Sequence, residues 1–222
     1  MKKHIVKIKE LESLTHDVIR IVTEKPEGYR FEPGQATEVA INQPELSEQR
    51  RPFTFTSCNQ NPYVEFIVKV YPTDGITAMM RDMKPGEALI IHDVFGAVHY
   101  EGPGYFLAGG AGITPFVAIF RSLYRKGKID GNQLFFANKK QEDVILKEEL
   151  EKMLNGNAHF YLTRENQSDD KKFRFDNAFF DKNCNTLQDP YYYVCGTPAM
   201  TKEVVNLLKG KNIRSEKIIF EH

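Results

Sequence analysis

The chain has 222 residues, enough for one large domain or two small ones. Thirty Lys plus Arg balance thirty Asp plus Glu, so the formal net charge is zero and the basic excess of a nucleic-acid binder is missing. Hydrophobic residues make up 41% and aromatics 12%, which supplies a sizeable core and argues against disorder.

The first hundred residues read as strands. His4–Lys9 alternates with a period near two, Asp17–Thr23 is β-branched, and Ala36–Ile41 follows the turn pair Pro33-Gly34. Val64–Val70 is the clearest strand, and Ala88–Ile91 follows Pro85-Gly86; Thr77–Met83 is the one short helix expected here. Short strands at this spacing suggest an antiparallel barrel. Charges interrupt the basic N-terminus, so no signal region is expected. Gly102–Phe120 is uncharged and long enough to raise the question of a membrane span. Its glycines and Pro115 predict a strand, a loop and a helix instead, and cytoplasm is the expected compartment.

Composition changes at Gly102-Pro103-Gly104, which predicts domains at 1–101 and 102–222. In the second half strands alternate with helices: strand Tyr105–Ala108, helix Thr114–Lys126, strand Leu134–Ala137, helix Val144–Leu154, strand Ala158–Thr163. A polar loop is expected over Asn166–Lys172, then strand Tyr191–Cys195, helix Pro198–Leu208 and strand Ser215–Phe220. Such alternation gives a parallel α/β sheet.

Three segments carry chemistry. Leu107–Pro115 places Gly109-Gly110-Ala111-Gly112 between a strand and a helix, where bare backbone and a helix N-terminus suit a pyrophosphate. A tight strand–helix turn explains it equally well. Arg51-Pro52-Phe53-Thr54 offers a guanidinium fork, a flat ring and a hydroxyl, or is an ordinary strand with a solvated arginine. Cys195-Gly196-Thr197-Pro198-Ala199-Met200 sets a thiol at the C-terminal end of a strand, where α/β ligands bind, or where a buried apolar cysteine sits. The three cysteines, Cys58, Cys184 and Cys195, are too few for a disulfide framework or a four-thiolate iron–sulfur cluster, and the six histidines show no ligand spacing, so no metal is expected.

Taken together, these segments resemble the ferredoxin–NADP⁺ reductase superfamily over nearly the whole chain. Arg51-Pro52-Phe53-Thr54 fits its R-x-[YF]-[ST] flavin motif, and Gly110-Ala111-Gly112-Ile113-Thr114-Pro115 fits its G-x-G-x-x-P nucleotide loop. Cys195-Gly196 with Met200 keeps its cysteine–glycine segment, with the methionine one residue closer. The resemblance implies a flavin-binding β-barrel domain followed by a Rossmann-like α/β domain, without an iron–sulfur domain. It implies FAD and NADPH (or NADH) as cofactors, with hydride passing from nicotinamide to flavin N5 and then electrons to a separate acceptor. By that resemblance Arg51 binds a flavin phosphate, Phe53 stacks on the ring, and Thr54 sits near N5. Pro52 belongs to the same motif, and Lys69, Val70 and Tyr71 border the ribityl and adenine side. Gly75, Ile76 and Thr77 hold the diphosphate, while Gly110, Gly112 and Thr114 line the path of the nicotinamide nucleotide. Cys195 with Gly196 lies near the hydride-donating carbon; at the C-terminus Phe220 or His222 covers the flavin and Glu221 relays a proton, or Phe220-Glu221-His222 is a plain edge strand. Thr163-Arg164 matches a pair that in NADPH-using relatives holds the ribose 2′-phosphate, with Arg174 or Lys139 assisting; a solvated Arg164 is the alternative.

The expected acceptor is a small carrier protein, ferredoxin or flavodoxin. A reductase of free flavin and a non-catalytic flavoprotein subunit of a larger redox assembly are the other readings. Arg121, Arg125, Lys126 and Lys128 form a surface for an acidic carrier or a solvated face.

Overall fold

The computed structural model describes residues 2–73, 75–96, 98–164 and 173–220. Six antiparallel strands form the first sheet: β1 (His4–Thr15), β2 (Val18–Glu24), β3 (Ala36–Ile41), β4 (Arg51–Thr54), β5 (Tyr63–Lys69) and β6 (Ala88–Phe95), in the order β4-β3-β6-β1-β2-β5. Period-2 alternation drives them inward; in β1, Val6 and Ile8 are buried while Lys7 and Lys9 face water. β1 is longer than expected because it changes partners. Its first residues pair with β6 and the rest with β2, with a register shift between Ile8 and Glu10 where the strand bends. A bridge between Phe55 and Phe66 joins the edge strands β4 and β5 and closes the barrel. Phe55 also stacks on Phe31 at 4.1 Å inside it. Helix α1 (Gly75–Asp82) drops Ile76 and Met80 into the same core.

The second sheet is parallel, in the order β11-β10-β7-β8-β9. Its strands are β7 (Gly104–Gly109), β8 (Gln133–Asn138), β9 (Ala158–Leu162), β10 (Tyr191–Cys195) and β11 (Ile218–Phe220). Being covered on both faces, β7 is apolar throughout. Phe106 and Ala108 pack toward α2 (Thr114–Arg125) and α3 (Lys147–Leu154). Tyr105 and Leu107 pack toward α4 (Asn177–Asn183) and α5 (Pro198–Gly210). The uncharged stretch 102–120 is thus strand, turn and helix, and among the described residues no helix is long and apolar enough to cross a membrane.

Three elements differ from expectation. Helix α3 starts at Lys147, since Gln141–Asp143 form a 3₁₀ turn and Leu146 takes a left-handed φ of 53° that lets Ile145 bury its side chain. Helix α4 was not foreseen; Asp176 caps it by accepting the Phe179 N–H at 2.8 Å, and Phe179 and Phe180 anchor it. The last strand is only Ile218–Phe220, preceded by a 3₁₀ turn at Ser215–Lys217. The loop expected over Asn166–Lys172 falls among residues 165–172, outside the described residues.

The two sheets share a seam in which Val18 and Ile67 of the barrel pack into the core of the α/β half. Beside it lies a buried ion network. Glu65 of β5, only 1% exposed, receives Arg121 of α2 on Oε1 and Arg20 of β2 on Oε2 at 2.7 Å. The Thr56 hydroxyl donates to the same carboxylate at 2.8 Å. Arg121 further donates to the Thr56 carbonyl at 2.9 Å and forks onto Glu149 of α3. Arg121 is therefore an interdomain clamp, which corrects its placement in a basic docking surface. Burial alone would raise the Glu65 carboxyl, but Arg121, Arg20 and Thr56 hold it below the usual range. Such a group stabilises the fold above the unfolded glutamate value of 4.5 and ceases to do so as pH falls below it. Removing Arg121 leaves the buried Glu65 carboxylate with one of its two cations, Arg20, so Arg121→Met should cost about 1–3 kcal/mol in urea unfolding at neutral pH. That gap should narrow as pH drops below the glutamate range, and Glu65→Leu combined with Arg121→Met should recover most of it.

Candidate functional site

Ligands of parallel α/β sheets bind at the C-terminal ends of the strands. Here that edge faces the barrel across a cleft of about 600 Å³. Lys69 and Tyr71 line it from the barrel; Gly110, Gly112, Thr163 and Gly196 line it from the sheet. Of the residues singled out in the sequence as holding the cofactors, these six come together, and Lys139 and Arg174, expected to assist, line the same cleft.

Glycine is required in the β7–α2 turn for two different reasons. Gly110 has a left-handed φ of 53°, and a Cβ there would meet nothing, so its open side is free for an incoming group. Gly112 has ordinary dihedrals, but a Cβ would lie 2.3 Å from the Cys195 carbonyl oxygen. The turn after β7 and the end of β10 thus touch backbone to backbone. Thr114 uses its hydroxyl locally, donating to the Ala111 carbonyl at 3.1 Å.

Cys195 is buried beside Ala108 in the β10–β7 register. With Phe220 it lines a second cavity of about 430 Å³, which meets the cleft across Gly196 and Pro198. Glu221 and His222 lie outside the described residues.

On the barrel, Pro52 is tolerated because β4 is an edge strand. Arg51 and Pro52 are exposed and Phe53 and Thr54 half-buried, with the Phe53 ring tilted on Phe66 at 6.3 Å. The Thr77 hydroxyl accepts the Tyr71 N–H at 3.1 Å, which ties the end of the β5 segment, through buried Val70, to the start of α1. Gly75 and buried Ile76 form that start. Lys69 is held 2.6 Å from Asp17. Burial would raise the Asp17 carboxyl, but Lys69 and His16 keep it low. Arg51, Pro52, Phe53, Thr54, Val70, Gly75, Ile76, Thr77, Thr114 and Arg164 line neither of the two cavities. Arg164 is exposed, while its neighbours Lys139 and Arg174 do line the cleft.

The sequence reading missed Asn138. It ends β8, is 4% exposed, lines the cleft, and among the described residues neither carboxamide atom has a hydrogen-bond partner. A buried amide left unpaired costs about 1–3 kcal/mol. No sequence signal separates it from any polar residue ending a strand. An orphaned amide, an open glycine turn and the cations Lys139 and Arg174, which share the lining with Asp143 and Glu203, fit a nucleotide. A half-buried aromatic beside an exposed arginine on the barrel fits a flavin with its phosphates.

Known proteins agree. Residues 3–103 match the family described as FAD-binding domain, and 106–206 match the oxidoreductase NAD-binding domain. The reductase component of propane 2-monooxygenase from Rhodococcus jostii is 23% identical over 97% of this chain and 62% of its own length. NADH-cytochrome b5 reductase 1 from Pyricularia oryzae is 32% identical over 65% of this chain and 52% of its own. A ferredoxin NADP⁺ reductase from Neisseria gonorrhoeae, solved with FAD and NADP, superposes with a TM-score of 0.82 at 18% identity, covering 100% of this chain and 98% of that one. The chain belongs to the ferredoxin reductase-like superfamily of FAD- and nicotinamide-nucleotide-binding oxidoreductases. It spans between 40% and 67% of the length of curated relatives that it matches.

The two glycine requirements are separable by calorimetry. Gly110→Ala should cost about 1 kcal/mol, the left-handed penalty. Gly112→Ala should cost about 3 kcal/mol, because backbone must move to admit the methyl.

Proposed function

We propose that this chain takes reducing equivalents from NADPH into bound FAD and passes them to a separate electron-carrier protein such as ferredoxin or flavodoxin. The observation that carries the reading is a single cleft lined jointly by the FAD-binding barrel and the C-terminal edge of the NAD-binding sheet. Bound together, the two cofactors supply the hydride chemistry; the protein's task is to hold them in reacting geometry and keep them there.

Each part of the chain has a task in that arrangement. Arg51 gives a flavin phosphate a charged donor fork, Phe53 a flat apolar face, and Thr54 a hydroxyl at the ring. Lys69, Val70 and Tyr71 border the ribityl and adenine side, and the Gly75-Ile76-Thr77 start of α1 receives the diphosphate. The Gly110–Gly112 turn admits the nicotinamide nucleotide, with Thr114 fixing the turn. Cys195 and Gly196 shape the place of its ring, and Phe220 shields it from the far side. Thr163, Lys139 and Arg174 all line the cleft and support NADPH over NADH, with Arg164 next to Thr163 in the chain: a hydroxyl and cations suit a 2′-phosphate. The range of acceptors in the relatives' names, a monooxygenase, a cytochrome b5 and a ferredoxin, supports a protein acceptor.

Anaerobic titration of the FAD-loaded protein tests this. NADPH should bleach the visible flavin band within seconds, and ferredoxin or flavodoxin added afterwards should restore it. Failure of both NADPH and NADH to bleach the band would overturn the reading. Replacing Lys139 and Arg174 together by Ala should raise the KM for NADPH about tenfold or more and leave that for NADH within about twofold, as expected for loss of charge-assisted bonds to one phosphate.

A further inference from the structure

The geometry points to Asn138 as a specificity residue whose carboxamide receives the adenosine half of the nicotinamide nucleotide, an inference that rests on the nucleotide-binding reading above. Position comes first. In the sheet, β8 lies between β7 and β9, so Asn138 stands between the Gly110–Gly112 turn and Thr163. Ala137 pairs with Gly109 on one side, and Asn138 itself pairs with Leu162 on the other. A dinucleotide that enters at the glycine turn and ends beside Lys139, the next residue along the chain, crosses Asn138 with its middle or adenosine portion.

Chemistry narrows this further. The backbone of Asn138 is satisfied, its carbonyl accepting the Thr163 N–H at 2.8 Å. Only the side chain is orphaned, with no partner on Nδ2 or Oδ1 among the described residues. A phosphate answers a donor alone. An adenine edge or a ribose diol offers a donor and an acceptor together, as a carboxamide requires. The amide atoms are covered by protein, so pairing needs a turn of the Asn138 side chain toward the cleft it lines.

A structural asparagine and a ligand-receiving one respond oppositely to Asn138→Leu, which is nearly isosteric and removes both polar atoms. Because the amide has no protein partner, the substitution should leave the melting temperature of the FAD-loaded, nucleotide-free protein unchanged or raise it. Isothermal titration should then show 5′-AMP and NADP⁺ binding at least tenfold more weakly than to the wild type, with nicotinamide mononucleotide within about twofold. Asn138→Ala, which keeps no polar atom and overfills nothing, should show the same split should the leucine variant fail to fold. Unchanged affinity for 5′-AMP and NADP⁺ in the variants, or equal weakening for the mononucleotide, would overturn the role of Asn138 while leaving the nucleotide-binding reading standing. A wild-type protein that binds none of the three would overturn both.

Discussion

One buried carboxylate determines how the two halves of this molecule meet. Glu65 is 1% exposed in the middle of a barrel strand, and a charge in that position must be compensated. The barrel supplies Arg20 and Thr56, and the α/β half supplies Arg121. Replacing such a network by apolar groups is often neutral, so its value here is direction more than strength. A guanidinium that must reach Glu65, the Thr56 carbonyl and both oxygens of Glu149 at once leaves helix α2 little freedom to slide or rotate.

The consequence reaches the barrel motif and the glycine turn along two short covalent paths. Thr56 lies two residues beyond Thr54, so the network anchors the strand that carries Arg51, Phe53 and Thr54. Arg121 lies two turns along the helix that begins at the Gly110–Gly112 turn. The same ion pair therefore holds the barrel motif and the glycine turn in register with each other, and the apolar seam of Val18 and Ile67 fills the space between. Tyr193 secures the linker in a similar way, donating to the Gly102 carbonyl at 2.8 Å and accepting the N–H groups of Glu101 and Gly102.

Much of this was legible in the sequence, for reasons that are local. Strands β3 and β10 announce themselves by composition and flanking turns, and Pro115 marks the start of α2 because proline belongs in a first helical turn. What stayed hidden depends on distant partners. Arg121 reads as one more cation in a basic helix end until Glu65, 56 residues away, is folded beneath it. Asn138 reads as an ordinary strand terminus until the sheet buries it without a partner. Helix α4 is seven residues long and owes its existence to packing of Phe179 and Phe180 more than to pattern. The motifs named the cofactors' domains, but the cleft gathers only part of them, because glycine turns, strand edges and helix starts contribute from separate elements.

The most direct measurement is the limiting rate of flavin reduction at saturating NADPH, by anaerobic stopped flow, in the wild type and in Arg121→Lys. The lysine keeps the charge beside Glu65 but cannot span Glu149 and the Thr56 carbonyl as well. If interdomain docking sets the reacting geometry, the limiting rate should fall about tenfold or more with FAD content unchanged and nucleotide affinity within about twofold. An unchanged limiting rate would contradict the assignment of that role to the buried network.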